Sequence, residues 1–532
     1  MHDNVRADLR YGTVPKMVRA NALRFGARDA VVDGQRRMSF VDVDREMLRV
    51  TRSLIASGVE AGDRAAIWAP NSASWITAAL GILGARAWLV PLNTRLKGDE
   101  ASYILRKTDA RVLFVADGFL GADYTGSLRA VAPDLRALAD VVELPLPADS
   151  GSPGWEAFLG RGDEIESARA EASIAAGSPD DVSDVMFTSG TTGAPKGVLL
   201  RHGASLRGYE VFGRHFGLKP HDRYVIPTPF FHCFGYKAGW LVSLMTGAVA
   251  FPLAVFDATA VLELMARERI THMPGPPTMF AALLDHPSRK EFDLSALDHA
   301  VIGAASIPSL LVRRMREELG IGWILSAYGL TENHALATLT APDDPPDVVA
   351  TTVGRPLADI ELRLADDAGR EVPAGSQGEV LLRGPFLFSG YYDDEEATRR
   401  TLVDGWLHTG DVGRFDEDGY VHITDRKKDM FIVGGFNVAP AEVEKSIMAM
   451  PGVSQVAVVG MPDDYYGEVG AAFVIPCQGA HVTADEVVAY AREHLANFKV
   501  PRRVEIVETL PLNATGKVLK TELRQRLEHL PR

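Results

Sequence analysis

The alternation of short apolar runs with amphipathic stretches over residues 1–180 is the feature that most restricts the fold of this chain. Residues 38–59 place apolar side chains at helical spacing, and residues 64–70 form an apolar run that ends at Pro70. The same order recurs over residues 72–92. Strands that alternate with helices are typical of parallel sheets covered by helices on both faces. The sequence therefore predicts a large α/β domain of sheets layered with helices.

The character of the sequence changes near Gly419, where charges and a Gly-Gly pair follow one another closely. Beyond this point Pro440 opens a helical pattern that Pro451 closes, and Thr483 with Glu486 forms a capping-box pattern. Two apolar runs lie between these helices, which indicates a compact α+β unit. We predict a large N-terminal domain over residues 1–425, a hinge over residues 426–430 and a small mobile C-terminal domain over residues 431–532.

Composition excludes several classes of protein. Hydrophobic residues make up 46% of the 532 residues and charged residues 24%, which is typical of a globular protein. The formal net charge of −14 argues against nucleic acid or an anionic membrane as the main partner. Cys233 and Cys477 are too few for a disulfide framework or a multi-cysteine zinc site. Since residues 1–12 lack the apolar segment of a secretory signal, we expect a cytoplasmic protein.

One uncharged run, residues 238–256, has nearly the length of a membrane span. Thr246 and Gly247 interrupt it, and Pro252 lies near its end. A buried helix, a turn and a strand explain this pattern better than a single long helix. We therefore predict no stable insertion into a membrane.

The most specific motif is TSGTTGAPKG at residues 188–197, directly after an apolar run. It combines three glycines and four hydroxyl side chains with one fixed cation, Lys196. Backbone N–H groups and hydroxyls of such a loop can wrap phosphate oxygens. The spacing differs from that of a Walker A loop. A polar surface loop is the alternative, and the order of the residues disfavours it.

This motif resembles the signature of the adenylate-forming (AMP-binding) superfamily, which includes acyl-CoA synthetases, aryl-CoA ligases, luciferases and peptide-synthetase adenylation domains. The resemblance runs over nearly the whole chain and favours the acyl-CoA synthetase branch. Four further segments resemble the later motifs of the family, in the family's order: YGLTEN at 328–333, WLHTGD at 406–411, ITDRKKDMFIVGGFNV at 423–438 and LPLNATGKV at 510–518.

The resemblance implies an ATP site assembled from several motifs. Thr188 and Glu332 would lie near Mg²⁺, a cation that prefers oxygen ligands. Tyr328 would stack on adenine, Asp411 would accept the ribose hydroxyls and Arg426 would contact the nucleotide. The residues that the resemblance assigns to the nucleotide are Thr188, Ser189, Gly190, Thr191, Thr192, Gly193, Lys196, Ser326, Tyr328, Gly329, Thr331, Asp411, Arg426 and Lys517.

The resemblance also makes Lys517 a catalytic residue together with Glu332 and Thr188. A carboxylate that attacks a phosphate meets a second negative group, and a fixed cation such as Lys517 offsets that repulsion. Lys428 matches the family's hinge position. Gly434 and Gly435 match the loop beside CoA, where glycine lets a narrow ligand approach the backbone. Outside their motifs, the charged residues would be solvated side chains and the glycines a hairpin turn.

The acyl side of the site is less specific. His232 matches a family position that gates the acyl site, although a lone histidine in an apolar run is more often a packed core residue. Between Pro227 and Leu241 there is no carboxylate to pair with an α-amino group, which argues against an amino-acid substrate. Lys237 lies in the same apolar segment and could meet a polar substituent of the acid. The small residues of the predicted pocket leave room for a ring; its members are His232, Phe234, Gly235, Gly303, Ala304 and Ala305.

We therefore predict an ATP-dependent acyl-CoA synthetase. It would form an acyl-adenylate from a small-molecule carboxylic acid, releasing pyrophosphate, and then transfer the acyl group to CoA, releasing AMP; ATP, Mg²⁺ and CoA are the expected cofactors. The expected acid is a medium-sized fatty or ring-bearing one, because residues 227–236 contain no carboxylate or lysine and residues 303–305 are small. Two short segments, residues 230–239 and 273–278, also resemble actinobacterial ligases for ring-bearing propionates from steroid breakdown.

Several alternatives remain open at this point. The main one is a stand-alone adenylation enzyme that loads a separate carrier protein, and a luciferase-like oxidation shares the same first step. A catalytically silent binding protein is disfavoured, because the motif residues Lys196, Glu332, Asp411, Arg426 and Lys517 are all present. The sequence also leaves open whether the protein is a homodimer.

Overall fold

The structure is a computed structural model, and its chain forms two compact units. The first unit comprises Met1–Glu361 with Arg383–Leu407, and the second comprises Leu362–Leu382 with His408–Arg532. The residues that the structure describes are 5–146, 151–188, 195–303, 307–373, 375–426, 429–433, 436–463, 466–512 and 518–528.

This division differs from the predicted domain boundary after residue 425. Residues 362–382 and 408–426 group with the C-terminal part of the chain, and the strands that they largely form, β16, β17, β19 and β20, belong to one sheet. The hinge predicted over residues 426–430 is not tested by this grouping. Its role as a swivel therefore stays a prediction.

The strands of the described residues are short in the first unit and longer in the second. They are β1 Asp29–Asp33, β2 Arg36–Ser39, β3 Arg64–Trp68, β4 Trp88–Pro91, β5 Val112–Val115, β6 Asp140–Glu143, β7 Val182–Thr188, β8 Lys196–Arg201, β9 Arg223–Ile226, β10 Val249–Pro252, β11 His272–Gly275, β12 His299–Gly303, β13 Trp323–Tyr328, β14 Thr338–Leu339, β15 Arg355–Pro356, β16 Glu361–Ala365, β17 Gly378–Arg383, β18 Leu402–Val403, β19 Trp406–Phe415, β20 Val421–Arg426, β21 Phe431–Val433, β22 Phe436–Val438, β23 Val453–Asp463, β24 Gly467–Pro476 and β25 Arg503–Ile506.

The helices alternate with these strands, as the sequence predicts. They are α1 Ala7–Tyr11, α2 Val14–Phe25, α3 Phe40–Ala56, α4 Ala73–Gly84, α5 Gly98–Lys107, α6 Tyr124–Val131, α7 Pro153–Arg161, α8 Ser167–Ala176, α9 His202–His215, α10 Cys233–Gly235, α11 Val242–Thr246, α12 Ala258–Glu268, α13 Pro277–Leu284, α14 Ser309–Leu319, α15 Pro346–Thr351, α16 Glu395–Thr401, α17 Pro440–Met448, α18 Ala484–His494 and α19 Lys520–Glu528. A π-helix, Tyr236–Leu241, joins α10 to α11.

The first unit contains two sheets in which most neighbouring strands are parallel. One has nine strands in the order β15-β14-β13-β12-β11-β9-β10-β1-β2, with antiparallel pairing only towards its two edges. The other has six strands in the order β6-β5-β3-β4-β7-β8, of which only β8 runs antiparallel to its neighbour. The layered α/β fold is therefore confirmed.

Helices α3 and α4 pack against each other at very short range. Ser39 caps α3 through a capping box with Asp42, which satisfies N–H groups that the first turn of a helix leaves unpaired. A Cβ atom on Gly81 of α4 would come 2.2 Å from Cγ1 of Val50. Glycine is therefore required for this approach, and all twelve residues of α4 are buried.

In the C-terminal part of the second unit, helices α17 and α18 pack near strands β23 and β24. The strands β22, β21, β24 and β23 are neighbours in that order, and β25 pairs in parallel with β24. Buried side chains of both helices and strands form one apolar cluster: Val443, Ile447, Val458, Val474 and Val487. The capping box predicted at Thr483 and Glu486 is present at the start of α18. The small α+β unit is confirmed.

The uncharged run at residues 238–256 is divided as the sequence predicts. Its helical part ends at Thr246, Gly247 turns the chain with a φ of 90°, and a strand begins at Val249. Within the described part of the chain, no helix has both the length and the apolar character needed to cross a membrane.

The two cysteines lie in different surroundings, and neither forms a disulfide. Cys233 is buried at the start of α10, and burial raises the pKa of its thiol to about 12. Cys477 follows β24 in the second unit and is exposed. The thiol of Cys233 therefore stays protonated and shielded at neutral pH.

Candidate active site

The two ends of the predicted phosphate loop are joined by a ladder of backbone hydrogen bonds. Thr188 is the last residue of β7 and pairs with Lys196, the first residue of β8. This pairing fixes the strand ends from which the loop leaves and returns. The loop residues Ser189, Gly190, Thr191, Thr192 and Gly193 lie outside the described residues, so their predicted role stays a prediction.

Tyr391 brings the cation of this loop together with the acid of the second motif. Nζ of Lys196 lies 4.9 Å from the centroid of the Tyr391 ring. The hydroxyl of the same ring donates a hydrogen bond to Oε1 of Glu332 at 2.8 Å. Burial and the charge of Glu332 raise the pKa of Tyr391 well above its usual value, so the phenol remains a donor. Thr188, Lys196 and Glu332 thus belong to one continuous set of contacts.

The backbone around Tyr391 holds this arrangement in place. The N–H of Phe388 donates to the carbonyl oxygen of Glu332 at 2.7 Å, and the N–H of Tyr392 donates to that of Gly197 at 2.7 Å. One segment therefore contacts both the strand after the phosphate loop and the turn that carries the acid. Tyr391 was not among the predicted site residues, because 59 residues separate it from Glu332 and no local pattern connects them.

The second motif forms a tight turn after β13. Ser326 and Tyr328 lie on this strand, and Thr331 begins the 3₁₀ turn Thr331–Asn333 that presents Glu332. A Cβ atom on Gly329 would come 2.2 Å from the carbonyl carbon of Ala335, so no other residue fits there. Glycine at this position lets the chain fold back on itself directly beside the acid.

The oxygen atoms of Thr188 and Glu332 are suitable ligands for Mg²⁺, which takes oxygen donors and usually keeps only one or two from protein. Among the residues that the structure describes, no group of three or more His, Cys, Asp or Glu side chains could hold a metal ion. A magnesium ion at this place would therefore take most of its ligands from phosphate and water. The donor set fits an ion that arrives with a nucleotide.

Asp411 and Arg426 lie in the second unit, opposite each other in the ladder between β19 and β20. Asp411 is buried, with 4% of its surface exposed, and its N–H donates to Oγ1 of Thr409 at 3.0 Å. Thr409 donates in turn to the carbonyl of Val380 at 2.8 Å. These bonds fix the backbone at Asp411. Lys428, Gly434, Gly435 and Lys517 lie outside the described residues, and their roles stay predictions.

The predicted acyl segment is a closely packed turn. Nδ1 of His232 accepts the N–H of Phe234 at 3.2 Å and so caps α10. Burial lowers the pKa of His232 to about 4, so the ring is neutral at physiological pH and carries its proton on Nε2. A Cβ atom on Gly235 would come 2.2 Å from the carbonyl oxygens of both Thr228 and Pro229. Backbone packing therefore accounts for this glycine.

Of the three consecutive small pocket residues Gly303, Ala304 and Ala305, the structure describes Gly303 alone. It ends β12 and is paired with Ala327 on β13, the strand that leads to the second motif. Ala304 and Ala305 lie outside the described residues. The positions of the acyl residues relative to a substrate remain a prediction.

The expectation that Lys237 meets a substituent of the acid is wrong. Its side chain is 1% exposed, and its Nζ lies 2.5 Å from Oδ2 of Asp184 and 2.7 Å from Oγ of Ser205. A buried ammonium group needs a partner of opposite charge, and Asp184 on β7 supplies it. The positive charge of Lys237 is therefore balanced by a buried carboxylate.

Two family models match the chain. The model described as AMP-binding enzyme matches residues 18–392, and that of the AMP-binding enzyme C-terminal domain matches residues 442–517. This chain belongs to the AMP-binding enzymes. The CoA ligases of this family use ATP and CoA, form an acyl-adenylate and transfer the acyl group to CoA. The predicted family is confirmed.

Relatives among characterised proteins are similar over almost their whole length. The chain is 49% identical to 3-[(3aS,4S,7aS)-7a-methyl-1,5-dioxo-octahydro-1H-inden-4-yl]propanoyl:CoA ligase of Mycobacterium tuberculosis, over 97% of this chain and 99% of that protein. It is 46% identical to the ligase of the same name from Rhodococcus jostii, over 96% and 98%. A feruloyl-CoA synthase of Amycolatopsis sp is 35% identical over 93% and 95%.

Solved structures of CoA ligases are also similar to this chain. An anthranilate CoA ligase in complex with anthranoyl-AMP is similar with a TM-score of 0.88 and 30% identity, over 98% of each chain. A fatty acyl CoA synthetase of Mycobacterium tuberculosis is similar with a TM-score of 0.77 and 30% identity, over 98% of this chain and 99% of that one. This AMP-binding enzyme is thus an ATP-dependent acyl-CoA synthetase, an acid–thiol ligase, as predicted.

Proposed function

We propose that this acyl-CoA synthetase activates a propanoic acid carried on a two-ring, methyl- and oxo-substituted remnant of a steroid. The observation that carries the proposal is the 49% identity, over 97% of the chain, to a ligase named for such an acyl group. A second relative of the same name, 46% identical, supports it. The acid is bulky and mostly apolar, and it differs from fatty and aryl acids in shape.

The chemistry of the acyl segment is compatible with this acid. No carboxylate occurs between Pro227 and Leu241, and Lys237, the one cation there, is neutralised by Asp184. Neutral His232 adds no charge but can donate one hydrogen bond from Nε2, which suits a ring carbonyl. We therefore place the rings against His232 and Phe234, with Gly235, Gly303, Ala304 and Ala305 around them.

The proposed reaction has two steps. The acid carboxylate attacks the α-phosphorus of ATP, pyrophosphate leaves, and an acyl-adenylate forms. The sulfur of CoA then attacks the acyl carbon, the thiol proton is lost to solvent, and AMP leaves. In the first step Lys517 offsets the charge that develops between carboxylate and phosphate. We expect the enzyme to act in the cytoplasm, where ATP and CoA are present.

The residues assigned to the nucleotide would each bind a different part of it. Lys196 and the hydroxyls of the loop would bind the β- and γ-phosphates, and Thr188 with Glu332 would hold Mg²⁺, which supplies neutralisation of phosphate charge. Asp411 would accept the ribose hydroxyls and Arg426 would contact the nucleotide. The small domain would turn about Lys428 between the steps, bringing Gly434 and Gly435 to the CoA arm.

The test is a panel of acids assayed for CoA-dependent AMP release. The panel contains the bicyclic propanoate, hexanoate, octanoate, ferulate, acetate and free amino acids. We expect kcat/KM for the bicyclic acid to exceed that for octanoate by at least about tenfold, since shape discrimination in an apolar pocket reaches ten- to a few-hundredfold. A preference for acetate, an amino acid or ferulate would refute the proposal.

The same assay decides between CoA and a carrier protein. CoA and a phosphopantetheine-bearing carrier are compared as acceptors with the preferred acid. Thioester formation on CoA at a rate at least equal to that on the carrier supports the ligase. Rapid adenylation with transfer to the carrier alone would favour the adenylation enzyme considered from the sequence.

A further inference from the structure

A complete ion pair lies in the interior of the first unit. The side chains of Lys237 and Asp184 are 1% and 0% exposed, and Nζ lies 2.5 Å from Oδ2. The hydroxyl of Ser183 also donates to this Oδ2 at 2.6 Å. Two charges taken out of water lose more hydration than their attraction returns unless the geometry is excellent, and apolar replacements are often as stable. Fold stability alone therefore does not explain the pair.

The pair links the strand that leads to the predicted phosphate loop with the helical turn that follows the predicted acyl segment. Asp184 lies in β7, whose last residue is Thr188 at the start of the phosphate loop. Lys237 is the second residue of the π-helix Tyr236–Leu241, which directly follows α10 and its cap His232. Ser205, the other partner of the ammonium group, lies in α9. Lys237 is thus fixed to a strand and a helix at the point where the acyl segment ends.

The turn that contains Lys237 is wider than an α-helical one. The N–H of Val242 donates to the carbonyl of Lys237, five residues back. π-turns of this kind are rare and are frequent at functional sites. Conversion to an α-helix would shift the register by one residue and rotate the preceding segment by about 100°. The contacts of the Lys237 side chain with Asp184 and Ser205 oppose that shift.

The segment before the turn has little room to adapt to a rotation. The rings of Tyr236 and Trp240 stack at 4.7 Å, and Trp75 meets Tyr236 edge-on at 5.8 Å. On the other side, Gly235 lies against the carbonyl oxygens of Thr228 and Pro229. The direction in which His232 and Phe234 leave this turn therefore depends on the register of the π-helix.

We propose that the Lys237–Asp184 ion pair is a specificity-determining positioning device, which keeps the π-turn in register so that His232 and Phe234 shape the acyl site for a ring-bearing acid. This inference rests on the proposed function, which places residues 232–235 at the acyl site. Neither member of the pair touches the substrate. Both act through the backbone of the turn, so their loss changes which acid is preferred.

The test is the double variant Asp184→Val with Lys237→Met, which removes both charges and replaces each side chain with an apolar one of nearby size. Since no unpaired charge is left, we expect the melting temperature to stay within a few degrees of that of the wild type. We expect the ratio of kcat/KM for the bicyclic propanoate to that for octanoate to fall at least about tenfold. A pair that served the fold alone would leave this ratio unchanged.

Two further variants complete the design. Ser205→Ala removes one hydrogen bond from the ammonium group and keeps both charges, so the ratio should fall by about two- to threefold in a stable protein. Arg289→Met with Glu318→Leu is the control for loss of an ion pair elsewhere, because this pair is also close, at 2.8 Å, but is more exposed and lies on other elements of the same unit. The control should keep the wild-type ratio.

The outcomes separate the two proposals. If the wild-type enzyme does not prefer the bicyclic acid, the proposed function fails. If it does, and the folded double variant has the wild-type ratio, the inference is overturned while the proposed function stands. If the double variant does not fold, Ser205→Ala decides in the same way, since a wild-type ratio in this variant overturns the inference.

Discussion

At the scale of single residues, Tyr391 contacts two functional groups with two parts of one side chain. Its ring lies beneath the ammonium group of Lys196, and its hydroxyl bonds to Glu332. The ring contact is a cation–π interaction, and the hydroxyl contact is a hydrogen bond to a charged acceptor. The two contacts can be separated by substitution, because phenylalanine keeps the first and removes the second.

We expect Tyr391→Phe to weaken binding of Mg·ATP by about tenfold, since a hydrogen bond to a charged group contributes about 1.5 kcal/mol or more. The carboxylate of Glu332 would lose the partner that orients it. Calorimetric titration with Mg·ATP in the absence of an acid substrate measures this directly. Tyr392→Phe, at the next residue, is the control and should bind normally. Equal affinities in all three proteins would show that Glu332 needs no support from Tyr391.

At the scale of elements, the turn after β13 depends on the backbone of Gly329. Gly329→Ala would place a methyl group 2.2 Å from the carbonyl carbon of Ala335 in the present backbone. The turn must move, at a cost of about 1–3 kcal/mol, and Glu332 moves with it. We expect a melting temperature several degrees lower and adenylation at least about tenfold slower, measured by exchange of labelled pyrophosphate into ATP.

Gly160→Ala is the matched control for that substitution. Gly160 lies in α7, and a Cβ atom there would meet nothing within 4 Å. Alanine in a helix is favoured over glycine by up to about 1 kcal/mol, so this variant should be as stable as the wild type or more so. Normal adenylation in Gly329→Ala would contradict the importance of the close approach.

Elements with a strong local pattern could be predicted from the sequence. The apolar spacing over residues 38–59 predicts the helix found at Phe40–Ala56, and Pro440 with Pro451 correctly bounds α17. The π-turn at Tyr236–Leu241 could not be predicted, since α- and π-turns accept the same mostly apolar sequence. Strand order could not be predicted either, because each ladder joins segments that are far apart in the chain.

The same distinction applies to the candidate site. Thr188, Lys196 and Glu332 could be predicted because they lie in continuous motifs. Asp184 and Tyr391 could not, because their partners lie 53 and 59 residues away. The sequence misleads at Lys237 for the same reason, since its apolar neighbours in sequence suggest an unpaired cation, whereas its partner lies on a strand.

At the scale of the whole molecule, buried histidines make stability depend on pH. His202, His272 and His334 are buried, and burial lowers their pKa values to about 4, 2 and 3. The unfolded chain binds protons on them near pH 6.5, whereas the folded protein does not. Below pH 6.5 the free energy of unfolding should therefore fall with pH, by about 1.4 kcal/mol per pH unit for each histidine down to its folded pKa.

Thermal unfolding at pH values between 7.5 and 5 tests this expectation. His202→Asn keeps an acceptor for the N–H of Val14, which bonds to Nδ1 of His202 at 3.3 Å. It should make the melting temperature less dependent on pH. His481→Asn, at an exposed histidine, should leave the dependence as in the wild type. A wild-type slope in His202→Asn would mean that this histidine binds its proton equally well in the folded and the unfolded protein.

The contrast between the two cysteines has a practical consequence for following the enzyme at work. The thiol of Cys233 is buried and protonated, whereas that of Cys477 is open to solvent. A maleimide dye added to the native protein therefore attaches at Cys477, in the second unit, without any engineered cysteine. The unit in which we predict the CoA loop thus comes with its own attachment point for a fluorescent reporter of the proposed movement during turnover.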